Sequence, residues 1–150
     1  MSSLELRRDV VILACAISAG IHGALAPRHF DKSIGAGLGF AGATVVLAAV
    51  AVTLTLRPAR ALALTAAAAL FAGLLASYAL ATTTGLPVLH PDPEPVDGLA
   101  LATKAIEAIG LLAALHLLPR GRAAGGAALQ QPKGPLTWAH HGLRAPSRSR

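Results

Sequence analysis

Four apolar blocks, Val10–Ala26, Ser33–Leu56, Ala59–Ala81 and Val96–Leu118, fill most of the chain before residue 119. Each has about the 17–25 residues that a bilayer-spanning helix needs. Lipid offers backbone N–H and C=O groups no partner, so a crossing segment must satisfy them within itself, as a helix. No block shows the apolar–polar alternation of a membrane barrel strand. Composition points the same way: 54% of the residues are hydrophobic and 13% are charged, against about 25% charged in an average soluble domain. The third block leans most on alanine, a weak membrane driver, but its leucines and its place between two clear loops favour a span. The expected fold is therefore all-α: a four-helix transmembrane bundle over residues 1–118. The Gly-, Pro-, Arg- and Ser-rich segment 119–150 has no sustained apolar period and is expected to be a disordered cytoplasmic tail.

Basic residues orient the spans. Arg7 and Arg8 precede the first block, Arg57 and Arg60 lie in the "RPAR" turn between blocks two and three, and Arg120 and Arg122 follow block four. The "APRHFDKS" loop is nearly balanced, and "TTTGLPVLHPDPEPVDG" carries Asp92, Glu94 and Asp97 with no basic residue. Both termini and the "RPAR" turn are thus expected in the cytoplasm, and the other two loops outside. The net charge of +6 reads as topology and not as nucleic-acid binding, because the basic residues flank apolar blocks or lie in the tail. The first block also looks like a signal peptide ending in Ala-Leu-Ala. Pro27 directly after that ending and His22 within the apolar stretch both disfavour cleavage.

Small residues recur at helical spacing. Gly35, Gly39 and Gly42 line roughly one face of block two, and Ala16, Gly20 and Ala24 line one face of block one. Such faces let helices approach closely in lipid, within one chain or between two copies.

The polar residues inside the blocks are the candidate functional groups. In steps of three and four, block one presents Cys15, Ser18, His22 and, if its helix survives Pro27, His29. Block four presents Asp97, Lys104 and Glu107, the last two an i,i+3 pair that can bond. An ionisable side chain near the bilayer midplane costs roughly 2.5–3.5 kcal/mol on insertion scales, so a polar stripe should turn inward. Glu107 is expected roughly two turns deeper than His22, with a water or Tyr78 bridging them. His22, His29, Glu94, Lys104 and Glu107 are the candidate binding residues. His22, His29 and His90 are candidate metal ligands, since zinc and copper accept imidazole; no close ligand spacing lies on one helix, so only the tertiary fold could gather them. No nucleophile motif, phosphate loop or nucleotide fingerprint is present, and the sequence leaves the cofactor unknown.

Three segments together, "HGALAPRHF", "TTTGLP" and "PEPVDGLALATKAIE", resemble an uncharacterised family of small actinobacterial proteins with four transmembrane helices. The resemblance places the family pattern on His22, Pro27, His29, Phe30, Gly85, Leu86, Pro87, Pro93, Glu94 and Glu107. The chain departs from it in having no glutamine in block two and in carrying Lys104 where a neutral residue is expected. The resemblance implies a membrane location and four helices, and no reaction.

Two functions fit these features. One is an integral plasma-membrane protein, not recognisably an enzyme, whose outer-facing polar pocket binds a small ligand, a metal ion or a protein partner. The alternative is a small proton-coupled transporter that uses an intramembrane Glu/His pair, a role for which a chain this short would dimerise. The orientation predicts that, in a Cys15→Ala background, a cysteine placed at Asp92 reacts with an impermeant thiol reagent from outside and one placed at Ala59 does not. The reverse labelling would overturn the topology.

Overall fold

The computed structural model describes residues 2–57, 61–85, 93 and 95–127, with residues 119–127 as backbone. Its described residues form four α-helices: α1 Ser3–Lys32, α2 Ile34–Leu56, α3 Ala61–Thr83 and α4 Gly98–Ala127. All four are long and apolar enough to cross a membrane, which makes the chain a four-helix transmembrane bundle.

The helix ends are set by local chemistry. A capping box starts α1: Glu5 N–H donates to Ser2 Oγ (3.2 Å) and Ser2 N–H to Glu5 Oε2 (2.7 Å), satisfying two donors that a helix start leaves without partners. The helix therefore begins well before Val10. It also continues through Pro27 to Lys32, so the "APRHFDKS" segment expected as an outer loop is helical up to Lys32. Pro27 lies on the exposed side of the helix, and helices in bundles absorb one lost backbone bond. Only Ser33 separates α1 from α2. Its N–H closes α1 onto the His29 carbonyl (2.9 Å), and its Oγ accepts from Ala36 N–H to open α2. At the end of α3 the hydroxyls of Thr82 and Thr83 donate back to carbonyls one turn earlier. Gly85 then stops the helix at φ 72°, a left-handed conformation that favours glycine. Asp97 caps α4, its Oδ1 accepting from Ala100 N–H at 2.7 Å. It is exposed, so it belongs to the helix start and not to an inward polar stripe. The fourth helix runs past Leu118 to Ala127, into the segment expected to be disordered. Its residues there include Pro119 and three glycines, so the extension owes nothing to propensity; adding turns to an existing helix needs no new nucleus.

Contacts between helices give the register. Gly23 of α1 faces Thr44 of α2, and Phe30 faces Gly37. Ala14 of α1 and Phe71 of α3 both face Gly110 of α4, while Tyr78 of α3 lies beside Lys104. In each pair rising numbers meet falling ones, so neighbours run antiparallel in an up-and-down bundle. The apolar core, with Val11, Leu47, Leu54 and Phe71 fully buried, fills the half toward the α2–α3 turn. Polar side chains collect in the half toward Ser33. The exterior is apolar, with Leu13, Leu38, Val45, Leu62 and Ile109 all exposed, as suits contact with lipid tails.

Close approach is made by other small residues than the expected stripes. Ala16, Gly20, Ala24, Gly39 and Gly42 are exposed, and a Cβ at Gly20, Gly39 or Gly42 would meet nothing within 4 Å. By contrast, the Phe30 ring occupies the space a side chain on Gly37 would need. A Cβ on Gly110 would come 2.7 Å from both Ala14 Cβ and the Phe71 ring. Lipid tails are as apolar as the helices, so such packing supplies much of the association. Gly110→Ala is therefore expected to destabilise the bundle by about 1–3 kcal/mol, the usual cost of overpacking, while Gly39→Ala leaves it unchanged. Equilibrium unfolding in mixed micelles checks this; equal effects would disprove the three-helix contact.

Candidate functional site

Glu107 projects from the third turn of α4 into the bundle and is fully buried. Such a carboxylate needs partners on both oxygens. One comes from its own helix: Lys104, one turn earlier, donates from Nζ to Oε2 at 2.6 Å. The other comes from α1, where Ser18 Oγ donates to Oε1 at 2.7 Å. Charge-assisted bonds of this length are about twice as strong as neutral ones.

Ser18 is also fully buried and lies one turn before His22. The His22 ring folds back so that Nδ1 is 2.9 Å from the Ser18 carbonyl and 3.3 Å from its Oγ. A carbonyl can only accept, so Nδ1 carries a hydrogen, as assigned from that partner. The remaining nitrogen, Nε2, faces Glu107 Oε1 at 4.0 Å, beyond hydrogen-bond length. His22 thus points inward toward α4. Glu107 stands level with Ser18, one turn below His22, which corrects the expected depth of two turns. The group that links them is Ser18 and not Tyr78.

Tyr78 serves elsewhere. Lys104 Nζ lies 5.5 Å from its ring centroid, within reach of a cation–π contact. The Tyr78 hydroxyl is buried and has no hydrogen-bond partner among the described residues. A buried hydroxyl left without a partner costs about 1–3 kcal/mol.

His29 sits two turns above His22 on the same helix, because α1 survives Pro27. Its Nδ1 donates to the Leu25 carbonyl at 3.0 Å, and its ring stacks on Phe40 of α2 with centroids 3.6 Å apart and planes 18° from parallel. Phe40 also lies 5.2 Å from the His22 ring. The two histidines are thus joined through an aromatic ring and share no ligand position. His90 and Glu94 lie outside the described residues. Among the described residues, no three His, Cys, Asp or Glu side chains gather as metal ligands would.

Sequence reasoning places His22, Lys104 and Glu107 together, and the structure does so too. The bond from Ser18 to the carboxylate and the role of Phe40 went unforeseen. Ser18 carried a signal, since it stands on the same stripe as His22. Phe40 carried none, because its place depends on how α2 registers against α1.

The arrangement is a neutral polar layer: one carboxylate, one ammonium and a histidine with a free ring nitrogen. Lys104→Leu combined with Glu107→Gln removes both charges and is expected to fold. Glu107→Gln alone strands the ammonium and is expected to cost about 3–5 kcal/mol, the usual penalty for breaking a buried pair. Unfolding in mixed micelles measures both variants. Equal loss in the single and double variants would show that the pair does not carry this energy.

The chain matches no protein-family model, no curated protein and no solved structure, so the only guide to this layer's role is its own geometry.

Proposed function

We propose that the chain is a non-enzymatic, multi-pass plasma-membrane protein whose polar layer opens to the outer side and binds a small ligand. Both termini lie in the cytoplasm in this reading, as the basic residues require. The observation that carries it is the fully buried Glu107, held by Ser18 Oγ at 2.7 Å and Lys104 Nζ at 2.6 Å. Ionisable groups are expensive within a membrane and are retained where a site uses them. Lys104 keeps 16% of its side chain exposed, and in this reading that edge is where the ligand enters. Membership of the small actinobacterial four-span family belongs to the same proposal, and rests on the "HGALAPRHF", "TTTGLP" and "PEPVDGLALATKAIE" segments.

A second reading is a small proton-coupled transporter, with a dimer enclosing its path. The 4.0 Å approach of His22 Nε2 to Glu107 Oε1 favours it, because a proton on that nitrogen would face a carboxylate. Metal binding is the third ligand class to be tested, with His22 as the described histidine nearest the carboxylate.

The test is accessibility. In a Cys15→Ala, Glu107→Gln background, Lys104→Cys should react with an impermeant thiol reagent added outside and not with the same reagent added inside. Reaction only from the cytoplasmic side, or from neither side, would overturn the reading. Metal content of the purified protein should fall with His22→Ala if the ligand is a metal ion.

A further inference from the structure

The polar layer holds more hydrogen-bond donors than its own acceptors use. The Lys104 ammonium has three N–H bonds; one goes to Glu107 Oε2, and the Tyr78 ring lies beside it at 5.5 Å. The Tyr78 hydroxyl is buried with no partner among the described residues. Both groups stand at the α3–α4 interface, and both have a hydrogen to donate. Glu107 is already engaged on each oxygen. A cation would meet the Lys104 charge, whereas an acceptor with negative charge would meet donors.

Charge balance adds a second condition. Lys104 and Glu107 cancel, so an anion beside Lys104 leaves one negative charge in surplus in a medium that tolerates it poorly. His22 can supply the balance. Its Nδ1 is committed to the Ser18 carbonyl, so an added proton goes to Nε2, 4.0 Å from Glu107 Oε1. Among the described residues, other groups that face His22 leave it this role: α2 presents the uncharged Phe40, α4 presents Glu107 and Lys104, and α3 brings Tyr78 against Lys104. On α1 itself, Ser18 is uncharged and His29 lies across Phe40.

We propose that Lys104 and Tyr78 bind a small monovalent anion of the halide class, and that His22 takes up one proton with it. The proton comes from solvent and rests on His22 Nε2, where it pairs with Glu107 and loosens that carboxylate's hold on Lys104. This deepens the outer-facing ligand site proposed above and depends on it.

Tyr78 is the single tyrosine of the chain, and Trp138 its single tryptophan. In the full chain carrying Trp138→Phe, tyrosine fluorescence therefore reports on one side of the site. The probe is bromide, titrated against gluconate in detergent micelles. Quenching should saturate, with apparent affinity rising about tenfold for each unit of falling pH across the range of proton uptake, as one-proton linkage requires. A pH indicator in weak buffer should record one proton taken up per bromide bound by this same protein. His22→Asn should abolish the pH dependence, and Lys104→Met with Glu107→Gln should abolish saturation. Linear, non-saturating quenching in the parent protein would overturn the proposal, as would saturation without proton uptake or saturation that survives loss of Lys104. If Lys104→Cys labels from outside while bromide fails, the anion is wrong and the ligand site stands. If Lys104→Cys does not label from outside, the site reading fails too.

Discussion

A carboxylate with no exposed surface, in a helix that crosses lipid, sets the terms for the rest of this bundle. Glu107 cannot turn outward without meeting hydrocarbon, and it cannot turn inward without partners. Lys104 on its own helix and Ser18 on α1 supply them at 2.6 and 2.7 Å. The bond to Ser18 does more than satisfy an oxygen. Apolar side chains slide past one another at little cost in lipid, but a hydrogen bond between two helices accepts one register. Once Ser18 meets Glu107, Ala14 must meet Gly110 one turn further in, and the Phe71 ring closes over the same glycine.

The two halves of the bundle follow different rules. Toward the α2–α3 turn, Val11, Leu47, Leu54 and Phe71 fill the interior as they would in a soluble core. Toward Ser33, rings and polar atoms replace aliphatic side chains: His22 and His29 rest on Phe40, and Lys104 rests on Tyr78. The division has a physical reason. No hydrophobic force separates aliphatic helix faces from lipid tails, so aliphatic packing holds helices only where the fit is close. Directional contacts discriminate between arrangements, so the half that carries them specifies the structure.

Much of this was legible in the sequence, because length and charge are strong signals in a membrane chain. Four apolar blocks gave four helices, and the inward turn of His22, Lys104 and Glu107 followed from the cost of facing lipid. What was not legible depended on contacts between helices or on capping atoms. A three-to-four-residue period shows which face a residue shares, yet not what stands opposite. Ser18 therefore shows its stripe in the sequence but not its partner, and Phe40 shows neither. Asp97 fell at stripe spacing but caps α4 from its exposed end. Pro27 suggested a break that the helix does not make. The small-residue stripes at 16–24 and 35–42 are mostly exposed, while the tight contacts fall at Gly37 and Gly110, where an aromatic ring on a neighbouring segment needs the room.

The four helix pairings are unequal. The one-residue reversal at Ser33 clamps α1 to α2, the Ser18–Glu107 bond and the Gly110 crossing hold α1 to α4, and α4 packs closely on α3. The edge between α2 and α3 is the thinnest of the four. In connectivity the molecule is a closed ring, but in cohesion it is a folded strip, α2–α1–α4–α3, whose two ends merely touch. A strip of this kind is stiff along its three seams and compliant across the fourth. The contacts that fix ring positions lie on the firm seams, Phe40 against α1 and Tyr78 against α4, so the loose edge can give without disturbing them.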